Sequence, residues 1–154
     1  MQHYIIRHAH AVDLVPDHAR TLSSEGRSQV ARLIEFLRQG GDFTPDEIWH
    51  SPLVRARETA MLLAEPLKLT RSLIEVPGLL SDSDPQIMAT ALLESERSIA
   101  VVGHEPHVGA LAALLITGRM ARPVVVMNTC AAVALDGGGS FWQVRWHLVP
   151  ELFV

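Results

Sequence analysis

Residues 98–103, Ser-Ile-Ala-Val-Val-Gly, are an unbroken run of small and apolar residues that stops at a glycine. A strand that faces water on one side alternates apolar with polar residues, whereas a continuously apolar strand is covered on both faces. Such strands are typical of parallel sheets with helices packed on each side. This run therefore predicts an α/β fold with three layers, in which helices flank a largely parallel central sheet.

The rest of the chain alternates strand-like with helix-like segments, as this fold requires. Residues 24–39 place Val30, Leu33, Ile34 and Leu37 on one helical stripe, the spacing of an amphipathic helix. The same reading predicts strands over 2–7, 47–50, 74–76, 98–103, 124–127 (running on towards 135) and 141–148, and helices over 24–39, 52–64, 84–93 and from 107 to Gly118.

Local signals mark where the helices begin and end. Ser51-Pro52 and Asp84-Pro85 each resemble an N-cap followed by proline at the first helical position. Ser23 or Ser24 is expected to cap the first helix. Gly40-Gly41 and Gly118 are expected to end helices.

The last two strands are expected to form a hairpin. The tract 136–140, Asp-Gly-Gly-Gly-Ser, predicts the turn between them. Trp142 and Trp146 lie four residues apart in the second strand, so a regular strand would place both on one face.

Composition limits what kind of protein this is. The 154 residues are 48% apolar and 19% charged, with a net charge of -4. These values predict one domain over 1–154 and argue against a nucleic-acid partner, since proteins that bind nucleic acids usually have a basic excess. Nothing in the sequence demands more than a monomer. The single cysteine, Cys130, cannot form an internal disulfide. No signal peptide is recognised, and the longest apolar stretch, 109–118, is too short to span a membrane, so a cytoplasmic protein without a membrane partner is expected.

Reactive side chains follow three of the predicted strands. Arg7-His8 comes after the first, His50-Ser51 with Arg55 after the second, and His104 after the apolar run. In parallel sheets, ligands bind beyond the carboxyl ends of the strands. Guanidinium groups match the geometry of phosphate oxygens, and a neutral imidazole can attack phosphorus. The sequence therefore predicts a site for a phosphoryl group.

Four motifs, in order along the chain, resemble those of the histidine phosphatase superfamily, with its phosphoglycerate mutase-like fold, and within it the short SixA-type phosphohistidine phosphatases. They are Tyr4-Ile5-Ile6-Arg7-His8-Ala9-His10-Ala11; Arg20-Thr21-Leu22-Ser23 with Gly26; Ser51-Pro52-Leu53-Val54-Arg55-Ala56-Arg57-Glu58-Thr59-Ala60; and Val101-Val102-Gly103-His104-Glu105-Pro106. The superfamily motif often reads Arg-His-Gly, and here the third residue is Ala9.

The resemblance implies a role for each matching residue. His8 is the implied nucleophile, which becomes phosphorylated. Arg7, Arg55 and Arg20 are implied to bind the phosphoryl oxygens, and His104 to donate to the phosphoryl group. No metal or other cofactor is expected, because cationic and imidazole groups neutralise the charge of the phosphoryl group.

Longer relatives carry an insertion that closes over the substrate and supplies a carboxylic acid. Here the corresponding stretch, 69–97, must already hold a strand and a helix, so a large lid is not expected. Glu105 is the nearest candidate acid in sequence, followed by Asp82 and Asp84. Glu105 equally fits a role in complementing the helix N-terminus, while Asp82 fits a loop and Asp84 a cap.

Without a dedicated acid, phosphohistidine is the favoured substrate, because an imidazole can take up a proton near neutral pH and leave. The expected partner is a phosphorylated protein such as a histidine-phosphotransfer domain. Two alternatives stay open: a phosphatase for a small phosphorylated metabolite, and a non-catalytic module that binds a phosphorylated ligand. The loops 10–20 and 77–85 are expected to form the pocket walls that decide between substrates.

Overall fold

The computed structural model describes residues 1–40, 42–120, 122–138 and 142–152. Strands and helices alternate along most of the chain. Their bounds are β1 (Gln2–Arg7), α1 (Ser24–Gly40), β2 (Glu47–His50), α2 (Val54–Ala64), β3 (Leu73–Glu75), α3 (Pro85–Glu94), β4 (Ile99–Gly103), α4 (His107–Thr117), β5 (Ala132–Asp136) and β6 (Gln143–Leu148), with 3-10 turns at Asp17–Ala19, Thr70–Ser72 and Pro150–Leu152.

Within the described residues, the strands form one six-stranded sheet in the order β3-β2-β4-β1-β5-β6. The pairs β2–β3, β2–β4 and β1–β4 are parallel. The pairs β1–β5 and β5–β6 are antiparallel. β1 thus lies in the interior of the sheet, and the largely parallel arrangement predicted from the sequence is confirmed.

Two apolar cores lie on opposite faces of this sheet, because successive side chains of a strand point to opposite sides. Tyr4 and Ile6 of β1 pack with α1 and α2 in one core. Ile5 packs with α3 and α4 in the other. All five residues of β4 are buried, as its unbroken apolar run predicts. The three-layer α/β/α prediction is confirmed.

Most of the predicted helix ends are also correct. The Ser23 hydroxyl accepts a hydrogen bond from the backbone N–H of Gly26 at 3.0 Å, which caps α1. Asp84 caps α3 by accepting from the N–H of Gln86, with Pro85 following the cap. After α4, Gly118 has a φ of 74°, the left-handed conformation that favours glycine at this position.

The predicted cap at Ser51 is wrong. The second helix begins at Val54, and its N-cap position is occupied by Leu53, which makes no side-chain cap. The Ser51 hydroxyl instead contacts His104 at 2.6 Å. A Ser-Pro pair has the same appearance in the sequence whether the hydroxyl caps a helix or binds a distant side chain.

The predicted strand at 124–127 is also wrong. Residues 124–127 contain no strand, and the fifth strand starts at Ala132. A turn at 129–130 separates the two segments, and Cys130 adopts a positive φ of 61° there. An extended strand cannot continue through that conformation.

Some predictions concern residues outside the described ranges. Gly41, the last residues of the 136–140 turn (139 and 140) and the expected strand residue Phe141 are among them. Among the described residues, no helix combines the length and apolarity that crossing a membrane requires.

Candidate active site

The carboxyl ends of β1, β4 and β2 lie side by side, because these strands are paired in register up to their last residues. His8, His104 and Ser51 directly follow the three strands. A cleft of about 480 Å³ lies over these ends. Its lining residues are Arg7, His8, His10, Ala11, Asp17, Arg20, Arg55, Ser81, His104, Glu105 and Thr129. All six residues that the sequence predicts for the site are among them: Arg7, His8, Arg20, Arg55, His104 and Glu105.

The His8 ring is held in one orientation. Its Nδ1 lies 2.7 Å from the carbonyl oxygen of Ala9. A carbonyl oxygen only accepts hydrogen bonds, so Nδ1 must carry the proton and donate. In the neutral ring, Nε2 therefore bears the lone pair. The hydrogen bond to Ala9 thus determines that Nε2 is the ring nitrogen of His8 that can act as a nucleophile.

The backbone around His8 is fixed from both sides. The His8 N–H donates to the carbonyl of Gly103 at 2.9 Å, and the His8 carbonyl accepts from the N–H of Cys130 at 3.0 Å. These bonds join the residue to β4 on one side and to the segment before β5 on the other. The position of His8 is therefore set by the centre of the sheet.

The His8 ring is neutral at physiological pH. Burial is the main cause that lowers the pKa of His8 to about 4, and the hydrogen bond to Ala9 partly opposes it. The guanidiniums of Arg55, Arg7 and Arg20 lower this pKa further. The cations that help to keep the His8 ring unprotonated are also groups of the kind that attract phosphoryl anions.

His104 lies next to His8, with ring centroids 5.0 Å apart. Its Nε2 is 2.6 Å from the Ser51 hydroxyl oxygen. That oxygen also accepts the N–H of Leu53 at 3.3 Å, and its proton has no other acceptor among the described residues. Ser51 is fully buried, so its proton is satisfied when it donates to His104 Nε2.

This bond selects the tautomer of His104. With Nε2 accepting from Ser51, the neutral ring carries its proton on Nδ1. Within the described residues, Nδ1 is buried and has no hydrogen-bond partner. Burial first, and then the nearby His8 and Arg55, lower the pKa of His104 to about 3. His104 is therefore a neutral residue with one unengaged N–H donor.

Replacing Ser51 by alanine is expected to reduce the rate constant of phosphoryl transfer about fivefold, since one positioning hydrogen bond is worth roughly 1 kcal/mol. The reason is that His104 then divides between its two tautomers. The nitrogen-15 chemical shifts of the ring report the tautomer directly. Thr59→Val is the matched control, because it removes another buried hydroxyl, which bonds to Arg55 and Ala9 rather than to His104. An unchanged His104 tautomer in Ser51→Ala would contradict this role.

Arg7 and Glu105 form an electrostatic pair at one side of the cleft. Burial lowers the pKa of Arg7, and Glu105 opposes that shift. Arg7 donates from Nη1 to the carbonyl of Met127 at 3.0 Å. Glu105 accepts the N–H of Gly109 at 2.6 Å in the first turn of α4. The carboxylate therefore fulfils the helix-terminus role considered from the sequence, while it also lines the cleft.

Arg55 and Arg20 meet at the opposite side, where both contact Asp17. Arg55 donates to the Asp17 carbonyl at 3.0 Å and to its carboxylate Oδ2 at 3.2 Å. Arg20 donates to Oδ1 of the same carboxylate at 3.2 Å. The hydrogen bond from Arg20 is the largest of the effects that lower the pKa of Asp17. One carboxylate thus joins two of the predicted phosphate-binding residues.

The sequence analysis placed Ser51 at a strand end but assigned its hydroxyl to a helix cap, and it did not single out Asp17. The Ser51-Pro52 pair resembles the start of a helix, so the sequence does not indicate that the Ser51 hydroxyl contacts His104. Asp17 contacts a partner 38 positions away, and no short motif carries that information. The expectation that loops 10–20 and 77–85 wall the pocket was the available signal, and these loops supply Asp17 and Ser81 to the cleft.

The other carboxylates and histidines lie apart from this arrangement or at its margin. Asp84 is a helix cap. His10 lines the cleft and its Nδ1 lies 2.6 Å from the Ser23 hydroxyl. His3 is buried and stacks on Trp142. In the described part of the chain, no three His, Cys, Asp or Glu side chains are grouped as metal ligands would be.

Neutral buried histidines are expected to make the fold sensitive to acid. Burial is the main cause that lowers the pKa values of His3 and His8 to about 4 and that of His104 to about 3, whereas the unfolded chain binds protons near pH 6.5. The contribution of these neutral histidines to the free energy of unfolding is therefore complete above about pH 6.5. It decreases towards about pH 4, by up to about 1.4 kcal/mol per pH unit for each histidine. Urea denaturation at several pH values measures this slope. His8→Asn is expected to show a shallower slope, and equal stability at pH values of about 7.5 and 5 would contradict the prediction.

The chain is similar to known proteins in sequence and in fold. The model of the histidine phosphatase superfamily (branch 1) matches residues 4–79. The fold is similar to that of the protein histidine phosphatase SixA solved with tungstate, with 26% identity, 99% of both chains covered and a TM-score of 0.86. No curated protein sequence is a significant match. The chain is therefore similar to the histidine phosphatase superfamily in sequence over residues 4–79 and in fold over nearly its whole length.

Two further solved structures share the fold. One is the alpha-ribazole phosphatase from Shigella flexneri, with 19% identity, a TM-score of 0.72, and 94% of this chain and 95% of the other covered. The other is a mycobacterial glucosyl-3-phosphoglycerate phosphatase in complex with VO3, with 19% identity, a TM-score of 0.70, and coverage of 94% and 96%. The similar structures thus include phosphatases for a protein and for small molecules.

Proposed function

We infer that this protein is a metal-independent phosphatase that forms a phosphorylated His8 intermediate and acts on phosphohistidine of another protein. The observation that carries this proposal is the state of His8. Its Nδ1 donates to Ala9, so a neutral ring offers Nε2 as the nucleophile. Three guanidiniums surround that ring.

The first step is a transfer between two imidazoles. Nε2 of His8 donates its electron pair to phosphorus, and the bond between phosphorus and the substrate nitrogen breaks. The electron pair of that bond stays on the substrate ring. If the other nitrogen of this ring is protonated, the ring leaves as neutral imidazole and needs no further proton. Arg7, Arg55 and Arg20 hold the phosphoryl oxygens, and His104 donates from Nδ1.

The second step regenerates the enzyme. Phosphorylated His8 keeps its proton on Nδ1, bonded to the Ala9 carbonyl. Water attacks phosphorus, the phosphorus–nitrogen bond breaks, and Nε2 recovers its electron pair. The proton of the attacking water goes to the departing phosphate or to solvent. His8 is again neutral, with the tautomer it had at the start.

The carboxylates of the cleft favour phosphohistidine over a phosphoester. Among the described lining residues, they are Asp17 and Glu105. The Asp17 carboxylate is bonded to two guanidiniums, and Glu105 accepts an N–H and lies near Arg7. Hydrogen bonds from Arg20 and Arg55 lower the pKa of Asp17 and so stabilise its ionised form, which cannot donate a proton. An alkoxide leaving group benefits strongly from a proton donor, whereas a protonated imidazole can leave without one.

The chain over the cleft supports access for a protein. Between α2 and β4, the stretch expected to carry a lid in longer relatives forms β3 at the sheet edge and α3 against α4. From this stretch, Ser81 lines the cleft among the described residues. The similarity to SixA supports the same substrate class. The alternative is a phosphatase for a small metabolite, which the similar small-molecule phosphatases favour.

Single-turnover phosphate release tests the proposal. The purified chain is mixed with a phosphohistidine-bearing phosphotransfer domain or with p-nitrophenyl phosphate, in the presence of a chelator. His8→Ala is the control for each substrate. Faster release from the protein than from the ester is expected. The reverse order would establish the small-molecule alternative, and a chelator-sensitive rate would contradict a metal-independent mechanism.

A further inference from the structure

The loop 13–20 is fixed at its base and exposed at its tip. The N–H of Val12 donates to the carbonyl of Thr21 at 2.9 Å, and Ala11 and Leu22 form an isolated bridge. Residues 13–18 are exposed. The link between this tip and the rest of the site is the pair of guanidiniums that contact Asp17.

The Asp17 carboxylate resembles a bound anion in its contacts. One oxygen accepts from Arg55 and the other accepts from Arg20, each at 3.2 Å. The Arg55 side chain is only 9% exposed, whereas the Asp17 side chain is 66% exposed. A well-buried cation is therefore paired with a carboxylate that solvent can reach. Phosphoryl oxygens accept from guanidiniums in the same manner as carboxylate oxygens.

We propose that Asp17 determines anion affinity and selectivity by occupying the phosphoryl-binding position between Arg55 and Arg20 until a substrate phosphoryl group displaces its carboxylate. This inference rests on the proposed function, because it takes those two arginines as phosphoryl-binding residues. The competing carboxylate carries one negative charge. A phosphoryl dianion carries two and brings three oxygens, so it displaces Asp17 more readily than a singly charged ligand does.

The competition lowers the observed affinity by a calculable factor. A ligand that binds one of two states has its apparent Kd raised by the reciprocal of that state's population. If the Asp17-bound state accounts for about four-fifths of the molecules, its loss strengthens anion binding about fivefold. A carboxylate that merely held the arginines in position would act in the opposite direction, and its loss would weaken binding.

The direction of the change in Kd for tungstate tests the proposal. Tungstate is a tetrahedral dianion, and calorimetry or competition with a fluorescent anion measures its binding without turnover. Asp17→Asn removes the charge and leaves the backbone carbonyl that accepts from Arg55. Asp13→Asn is the matched control, because Asp13 is an exposed carboxylate of the same loop with no hydrogen bond among the described residues.

The expected result is tungstate binding about fivefold tighter in Asp17→Asn and unchanged in Asp13→Asn. Asp17→Ala is expected to behave as Asp17→Asn does. Equal strengthening by Asp13→Asn would overturn the proposal, since it would show a general effect of net charge. Unchanged or weaker binding in both Asp17 variants would also overturn it.

The proposal and the proposed function fail in different ways. If the Asp17 effect on tungstate is found but neither phosphorylated substrate is turned over, the displacement mechanism stands and the enzymatic function does not. If turnover depends on His8 but the Asp17 variants bind tungstate no better, the function stands and the displacement mechanism is wrong. Absence of tungstate binding in every variant would overturn the displacement mechanism.

Discussion

His8→Ala is expected to lower the rate constant of phosphate release by at least about 10⁴-fold, the scale on which removal of a catalytic nucleophile acts. The substitution removes the nitrogen that would carry the phosphoryl group. The backbone bonds from His8 to Gly103 and Cys130 do not involve the ring, so the fold is expected to persist. Rapid-quench measurements with a phosphohistidine protein determine the rate.

The intermediate supplies a second readout for His8. The wild-type chain is expected to gain one acid-labile phosphoryl group during turnover, detectable by intact mass after rapid quenching. His8→Ala is expected to gain none. His10→Ala is the matched control, because it removes another imidazole that lines the cleft and is still expected to form the intermediate. A phosphoenzyme in His8→Ala would place the nucleophile elsewhere.

Gly26→Ala is expected to destabilise the fold by about 3 kcal/mol, at the upper end of the cost of overpacking. A Cβ at this position would lie 2.0 Å from the carbonyl oxygen of His10. That oxygen belongs to the backbone and also accepts the N–H of Ser23 at 3.0 Å. Neither α1 nor the segment after His8 can therefore move to relieve this contact without losing the hydrogen bond between Ser23 and His10. Urea denaturation measures the change in the free energy of unfolding.

Gly40→Ala is the matched control for this prediction. Gly40 is the last residue of the same helix, and a Cβ there would meet no atom within 4 Å. Since alanine favours helix more than glycine does, a gain of up to about 1 kcal/mol is expected. Equal stability of the two variants would show that the contact between Gly26 and His10 is not limiting.

The general architecture could be predicted from the sequence because it depends on local patterns. The apolar run of β4, the stripe of α1 and the reactive residues after each strand are all contained in short segments. Parallel pairing then places His8 and His104 together at one edge of the sheet. The helix cap at Asp84 is correct for the same reason, since its hydrogen bond reaches only two residues along the chain.

The errors involve features that depend on distant residues or on one irregular residue. The hydroxyl of Ser51 bonds to His104, 53 positions away. The expectation that Trp142 and Trp146 share one face is wrong, because they pack in opposite cores. The register between β5 and β6 shifts between Ala134 and Leu135, and one such irregularity reverses the face of the residues beyond it.

The interior position of β1 has a consequence for synthesis of the chain on the ribosome. β1 precedes the other described strands in the chain, yet its neighbours in the sheet are β4 and β5, which are made later. Until residues 99–103 and 132–136 have been translated, both edges of β1 lack their native partners, and open edges invite association with other chains. His8, which directly follows β1, therefore acquires its neighbours Gly103 and Cys130 only after β4 and the segment before β5 have been made.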